Sequence, residues 1–304
     1  MTADSSCVLV PGPWEHRFVA ANGARFHVAS LGEGPLVVLL HGFPQFWWTW
    51  RHQLQSLAEA GYRAVAMDLR GYGASDKPPT GYDAPTLTAD VAGVIRSLGE
   101  SEAVVVGHGI GGWLAWTLSQ SHPDAVRAVV SVASPHPADV ATARLSLTTA
   151  RGAWSVLAMN RPWHPERSMA RGAAYVHHVL RSWQGHDPAW PSREETARYA
   201  EAMAIPFAAH SAVEGYRWLS RARLSPAGRE YLRQIRRPVT VPVLHIHGTA
   251  DTIVAPSLAA GSARWMQASY QWCPLPGVGH APHEQAPERV SLVMINWLQG
   301  PGSP

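Results

Sequence analysis

The chain has 304 residues, of which 46% are hydrophobic and 15% charged. That is apolar enough for a sizeable core and too sparsely charged for a disordered chain; its length suits one large α/β domain with an insertion, or two small domains. The formal net charge is +3, Lys77 is the only lysine, and no cluster of basic residues speaks for nucleic acid. Cys7 and Cys273 form neither a disulfide framework nor a metal-type spacing. Residues Met1 to Arg17 lack a basic segment followed by an apolar run, and no stretch approaches the roughly 18 apolar residues of a membrane span. A cytoplasmic protein with no membrane span and no nucleic-acid partner is the expectation. The 14 tryptophans read first as core filling and second as the lining of an apolar pocket.

In chain order, residues 1–13 read as a loose leader. Glu15 to Ala29 alternates around Asn22-Gly23, a hairpin turn signal. Leu36 to Leu40 is a continuous aliphatic run, the mark of a strand buried on both faces. Arg63 to Met67, Ala103 to Val106, Ala128 to Val132 and Val243 to Ile246 are similar runs. Between them, Leu87, Val91, Val94, Ile95 and Leu98 form an apolar stripe at helical spacing, with Gly99 as its stop. Strands alternating with helices predict a mainly parallel, eight-stranded α/β sheet covered on both faces. The rhythm breaks between Pro137 and Val239, where helical sequence rich in Ala, Arg, Trp and His replaces strand sequence. The predicted organisation is a core of residues 14–136 and 240–298, a helical cap over 137–239, and loose termini at 1–13 and 299–304. There is no internal repeat.

Four motifs follow predicted strands. His41-Gly42-Phe43-Pro44 comes directly after the first buried run, and glycine there lets backbone N–H groups approach an oxyanion. Asp68 to Asp76 reads as a structured turn whose charges pair locally. Val104 to Trp113 reads as strand, sharp turn and helix, the small–x–nucleophile–x–small elbow with Gly107, Gly111 and Gly112 at the crowded positions. Its middle residue is expected at positive φ before a helix N-terminus, which favours an anionic side chain. That residue is Gly109, which suits the backbone and carries no reactive atom. Asp251 and His280 each follow a later strand; either alone reads more readily as a satisfied surface residue than as a catalytic one. Together, after an elbow, they stand in the order of a nucleophile–acid–histidine triad.

These segments, with Trp47, Trp48, Trp50 and Arg51, resemble the epoxide hydrolase and haloalkane dehalogenase branch of the α/β hydrolases, over about Trp14 to Trp297. The resemblance implies an α/β-hydrolase fold. It also implies a reaction in which an elbow aspartate attacks carbon to form an ester, and a His–Asp pair then activates water. Carried over, the water-activating base is His280, its orienter Asp251, and the oxyanion hole the N–H groups of Phe43 and Ile110. Tyr216, in Glu214-Gly215-Tyr216-Arg217-Trp218, matches one of two cap tyrosines that protonate an opening epoxide; the other tyrosine position falls on Ala158. The substrate pocket is expected to include His41, Pro44, Trp48 and Trp113, with Phe43 and Tyr216 at its border. His108 is expected to point away from it. Ser131, Ser134 and His136 are not taken as relocated nucleophiles.

Three functions stay open: a hydrolase without a covalent intermediate, using His280 as general base; a catalytically silent ligand-binding or regulatory protein; and cofactor-free lyase or oxygenase-type chemistry on the same fold. All imply a small apolar ligand or substrate, no cofactor and no metal. The sequence does not specify an oligomeric state.

Overall fold

The computed structural model describes residues 3–142, 159–170 and 172–300. The hairpin forms as β1 (Glu15–Ala21) and β2 (Ala24–Leu31), turning on Asn22 and Gly23, which both hold positive φ. The aliphatic runs form β3 (Leu36–Leu40), β4 (Arg63–Met67), β5 (Ala103–His108), β6 (Val126–Val132) and β7 (Val243–Gly248), followed by β8 (Tyr270–Leu275). They build one eight-stranded sheet in the order β1-β2-β4-β3-β5-β6-β7-β8. The pairs involving β2 are antiparallel and the rest are parallel. Every residue of β3, β5 and β7 is buried. Each Val or Leu so buried contributes about 1.5–3 kcal/mol, which is why unbroken aliphatic runs take the centre of the sheet.

The core helices are α1 (Arg51–Glu59), α2 (Ala84–Ser97) and α3 (Ile110–Ser121). Asp83 caps α2 by accepting the Thr86 N–H at 2.9 Å, and the stripe Leu87, Val91, Val94, Ile95 and Leu98 is buried. Between β6 and β7 the described residues form α4 (Pro137–Thr142), α5 (His164–Ala170), α6 (Ala173–Ser182), α7 (Arg193–Met203), α8 (Ala208–Arg221) and α9 (Pro226–Gln234), with no strand among them. The chain ends with α10 (Pro256–Ala260), α11 (Pro282–Gln285) and α12 (Pro287–Gln299). No described helix is long and apolar enough to cross a membrane.

Two expectations are corrected. The N-terminal segment is packed: Ser5–Val8 is a 3-10 turn, Val8 is buried, and the Trp47 and Trp14 indoles donate to the carbonyls of Val8 and Val10 at 2.7 and 2.8 Å. At the other end Gln299 belongs to α12 and donates to the Ala60 carbonyl at 3.2 Å. The Asp68–Asp76 turn is structured as expected. Buried Asp68 accepts from His27 Nδ1 at 2.8 Å and from the N–H groups of Trp47 and Ala74, Arg70 pairs with Asp90, and Asp76 accepts the Arg25 N–H.

Candidate active site

The turn from β5 to α3 shows why its glycines are where they are. A Cβ on Gly107 would lie 2.2 Å from the Gly111 carbonyl oxygen, one on Gly111 would lie 2.3 Å from the Leu40 oxygen, and one on Gly112 would lie 2.4 Å from Ser134 Cβ. Backbone there crosses backbone, and no side chain fits. Gly109 differs. It holds φ 54° and ψ −118°, yet among the described residues a Cβ at this position would meet only Gly42 Cα, at 3.7 Å. Its carbonyl accepts the Trp113 N–H at 2.9 Å and the Ser134 hydroxyl at 3.0 Å, so Ser134 is engaged in holding the turn.

The His41–Pro44 loop leaves the end of β3 beside this turn. His41 is fully buried and supports the loop: Nδ1–H donates to the Gly42 carbonyl at 2.8 Å, and Nε2 accepts the Leu69 N–H at 3.1 Å. Burial holds its pKa below the ordinary value. Gly42 passes close to His108, where a Cβ would lie 2.6 Å from Nδ1. The Phe43–Pro44 peptide is cis, and the Phe43 ring meets Tyr216 edge-on at 6.1 Å. Among the described residues no acceptor pairs with the N–H of Phe43 or of Ile110; the latter is the first residue of α3, where an N–H has no intrahelical partner.

Asp251 lies in the loop after β7 and His280 in the loop after β8. His280 Nδ1–H donates to Asp251 Oδ2 at 2.7 Å, and Asp251 Oδ1 accepts the N–H groups of Ile253 and Val254 at 2.8 and 3.0 Å. Burial opposes the Asp251 charge, but His280, its hydrogen bond, His247 and the Val254 N–H outweigh it and hold the carboxyl below its ordinary value. His280 Nε2 has no partner among the described residues, although the residue is only 6% exposed. His108 does not point into open space: its Nε2 lies 2.8 Å from the His280 carbonyl oxygen and its Nδ1 3.0 Å from Gln45 Oε1, and the single N–H of the neutral ring donates to one of the two.

Trp183, at the end of α6, escaped the sequence reading. Its carbonyl accepts the His280 N–H at 2.9 Å, and its ring stands edge-on to the imidazole at 5.1 Å. Glycines permit this approach, since a Cβ on Gly279 would fall 2.0 Å from the Trp183 oxygen, and one on Gly185 would fall 2.4 Å from the Gly277 oxygen. The sequence signal was Trp183-Gln184-Gly185 facing Gly277-Val278-Gly279. On α8, Gly215 presses against Ile110, with a Cβ position 3.2 Å from Ile110 Cδ1, and so sets Tyr216 beside the elbow. Burial, with a further contribution from Tyr175, pushes the Tyr216 phenol far up, so it is a hydrogen-bond donor at neutral pH. Tyr175 was also missed. Ala158 lies outside the described residues; the adjoining carbonyls of Met159 and Arg161 accept from Arg217 at 3.1 and 3.3 Å.

Trp48 and Trp113 are both buried, with defined partners. Trp48 stacks with Phe46, meets Tyr199 edge-on and lies under the Arg51 guanidinium at 3.8 Å; Trp113 donates to the Tyr231 hydroxyl at 2.6 Å and packs on its ring. A groove of about 620 Å³ bordered by Pro13, Arg17, Arg63 and Glu100 lies at the N-terminal ends of β3 and β4, remote from these groups. Among the described residues no group of three or more His, Cys, Asp or Glu is disposed to hold a metal.

Beneath the site, a buried polar network ties α7 to the core. Glu284 accepts from Tyr199, from Gln45 at 2.7 Å and from Arg51 at 3.0 Å, while Arg51 also donates to Glu195 at 2.8 Å. Burial raises the Glu284 pKa, against the pull of Arg51. Removing one partner leaves the others buried and unpaired, so Glu284→Ala is expected to cost about 3–5 kcal/mol in urea unfolding and Glu284→Gln less. A loss for Glu284→Ala below about 1 kcal/mol would show that the network contributes nothing net.

The chain belongs to the alpha/beta hydrolase fold family, which matches residues 35–287. It is 34% identical over 255 residues to the AB hydrolase superfamily protein YfhM of Bacillus subtilis, covering 82% of this chain and 85% of that one. It is 47% identical over 126 residues to epoxide hydrolase B of Mycobacterium tuberculosis, a stretch covering 40% of this chain and 35% of that protein. Among solved structures, epoxide hydrolase A of Mycobacterium thermoresistibile superposes with a TM-score of 0.80 at 26% identity, covering 94% of this chain and 98% of the other. Epoxide hydrolase VrEH1 of Vigna radiata gives 0.81, also at 26% identity, with 94% and 98% covered. Both of these superposed structures are epoxide hydrolases.

Proposed function

We propose that this protein is an epoxide-hydrolase-like hydrolase that takes a small apolar molecule and works without a covalent ester, the inserted helices forming a cap over the strand ends. The observation that carries this is the Asp251–His280 hydrogen bond of 2.7 Å, kept in the same fold as an elbow whose middle residue is Gly109. Asp251 holds Nδ1–H and leaves Nε2 to take a proton from water. Water attacks the substrate directly, the N–H groups of Phe43 and Ile110 receive the developing oxyanion, and Tyr216 donates to the leaving oxygen. Glycine offers no atom that attacks carbon, so no ester forms. Gly109 equally supports a second reading, a catalytically silent ligand-binding protein.

Purified protein assayed against epoxides, haloalkanes and activated esters separates the two. Slow hydrolysis is expected, reduced at least about 100-fold by His280→Ala, the lower range for a general base. Hydrolysis indifferent to His280→Ala would dismiss the base, and no hydrolysis of any class would leave the silent reading.

A further inference from the structure

Where α8 ends, arginines and large apolar side chains stand exposed together. Val140 is 57% exposed, Trp163 73% and Leu224 80%, the last on the turn Ala222–Leu224 that follows α8. Hydrogen bonds tie their segments into one region. Arg223 donates to the Ala141 carbonyl at 3.0 Å, the Ser220 hydroxyl to Asn160 Oδ1 at 2.7 Å, and Arg217 to the Arg161 carbonyl at 3.3 Å. The Leu224 turn therefore meets both α4, which carries Val140, and the chain entering α5, which carries Trp163. Arg161, Arg221, Arg223 and Arg229 are exposed here, and among the described residues no carboxylate pairs with any of them. The carboxylates of the region hold other cations: Glu166 and Glu214 pair with Arg217, Glu230 with Arg233, and Asp139 with Arg264. Residues 220–238 hold six arginines against the single carboxylate of Glu230. Residues 137–239 hold 15 arginines and eight carboxylates, whereas the rest of the chain has 10 basic and 14 acidic residues, so the positive charge belongs to the inserted helices.

Exposed apolar side chains set among unpaired cations mark an interaction surface, and the charge selects an anionic partner. Duplex nucleic acid rewards the arginines but gives Leu224 and Val140 nothing to enter. The boundary between the headgroups and acyl chains of a bilayer rewards both: guanidinium groups meet phosphates, aliphatic side chains leave water, and tryptophan favours that depth. We propose that this region docks the protein on an anionic phospholipid surface, with Leu224, Trp163 and Val140 entering the headgroup layer and Arg161, Arg221, Arg223 and Arg229 on the phosphates. Each arginine near such a surface strengthens binding about fivefold, and salt weakens it. The contact is peripheral, and it does not depend on any reaction at the elbow.

The test is co-sedimentation of the full chain with vesicles of phosphatidylcholine alone and of phosphatidylcholine mixed equally with phosphatidylserine. Wild type is expected to bind the mixed vesicles at least about 10-fold more tightly, and to lose that preference at high salt. Arg221→Glu/Arg223→Glu should weaken binding to mixed vesicles at least about 25-fold. Leu224→Ser should weaken it at least about fivefold, with the urea midpoint unchanged because the side chain is exposed in the free protein. Leu292→Ser is the control: Leu292 is 60% exposed on α12, outside this region, and its loss should change nothing. Equal binding to the two vesicles, binding to neither, a Leu224→Ser or Arg221→Glu/Arg223→Glu protein that binds as wild type does, or an equal loss in Leu292→Ser would each overturn the proposal. Duplex DNA that displaces the protein from mixed vesicles and binds Leu224→Ser as tightly as wild type would assign the surface to nucleic acid instead. A wild-type dimer that Leu224→Ser dissociates would assign it to a second copy of the chain.

Discussion

Acidification from pH 7 to pH 5 is expected to remove at least about 4 kcal/mol of folding stability, a large share of the 5–15 kcal/mol of an ordinary domain. The cause is histidine burial. His108 and His136 are fully buried, and burial lowers both from the ordinary 6.5 to about 3. In the unfolded chain they titrate near 6.5. A group depressed on folding contributes its full stability above the unfolded value and loses it as pH falls toward the folded one. At pH 5 the unfolded chain gains about 2 kcal/mol per histidine from protonation that the folded state does not share. His41, His245, His247 and His283 are also fully buried and lowered by burial, and add in the same direction. Glu284 and Asp90, which burial raises, act the other way, but mainly where carboxylates titrate. Urea unfolding at pH 7, 6 and 5 measures this. A midpoint unchanged between pH 7 and 5 would mean that these imidazoles find protonation as easy folded as unfolded.

Much of the fold was written locally. Leu36–Leu40 and Val243–Ile246 are apolar at every consecutive position or flank buried histidines, a pattern only a doubly covered strand accommodates, and both became central strands. The elbow was legible because its constraint is steric and local: three glycines at 107, 111 and 112 are what a strand-to-helix crossing of that tightness requires. Asp251 and His280 were legible from their order relative to that elbow, and the 2.7 Å hydrogen bond joins them.

What escaped depends on contacts distant in the chain. Trp183 reaches His280 through glycines on both segments, and neither segment shows that on its own. An aromatic residue's composition announces burial without giving its address. Trp48 packs on the Arg51 guanidinium and the Tyr199 edge, and Trp113 donates to the Tyr231 hydroxyl, partners that the sequence around each indole does not name. The N-terminal segment looked loose because it has no periodicity. It is held by indole donors from Trp47 and Trp14 that no local pattern reveals.

Gly109→Asp, combined with His280→Ala, is expected to trap a covalent ester with a reactive epoxide or haloalkane, whereas the wild type forms none. The backbone already holds the needed conformation at φ 54° and ψ −118°, so the substitution requires no rearrangement. A non-glycine residue there costs on the order of 1–3 kcal/mol of strain, which a folded domain tolerates. Among the described residues the Cβ meets only Gly42 Cα at 3.7 Å, an ordinary contact. The carboxylate sits at the N-terminus of α3, which favours its charge. Attack on carbon joins the Asp oxygen to the substrate and releases halide or opens the ring. Without the imidazole no base activates water, so the ester persists and intact mass rises by the whole epoxide, or by the haloalkane less hydrogen halide. Loss of a triad nucleophile costs on the order of a million-fold in rate elsewhere, so Gly109→Asp alone, with His280 present, should gain turnover over wild type by a sizeable part of that factor. Epoxides should gain less than haloalkanes if Tyr216 protonates the ring oxygen without a second phenol. An adduct on the wild-type protein would place the nucleophile at a residue other than 109. Substrate binding without an adduct on the double variant would mean that Phe43, Ile110 and Tyr216 do not present carbon to position 109.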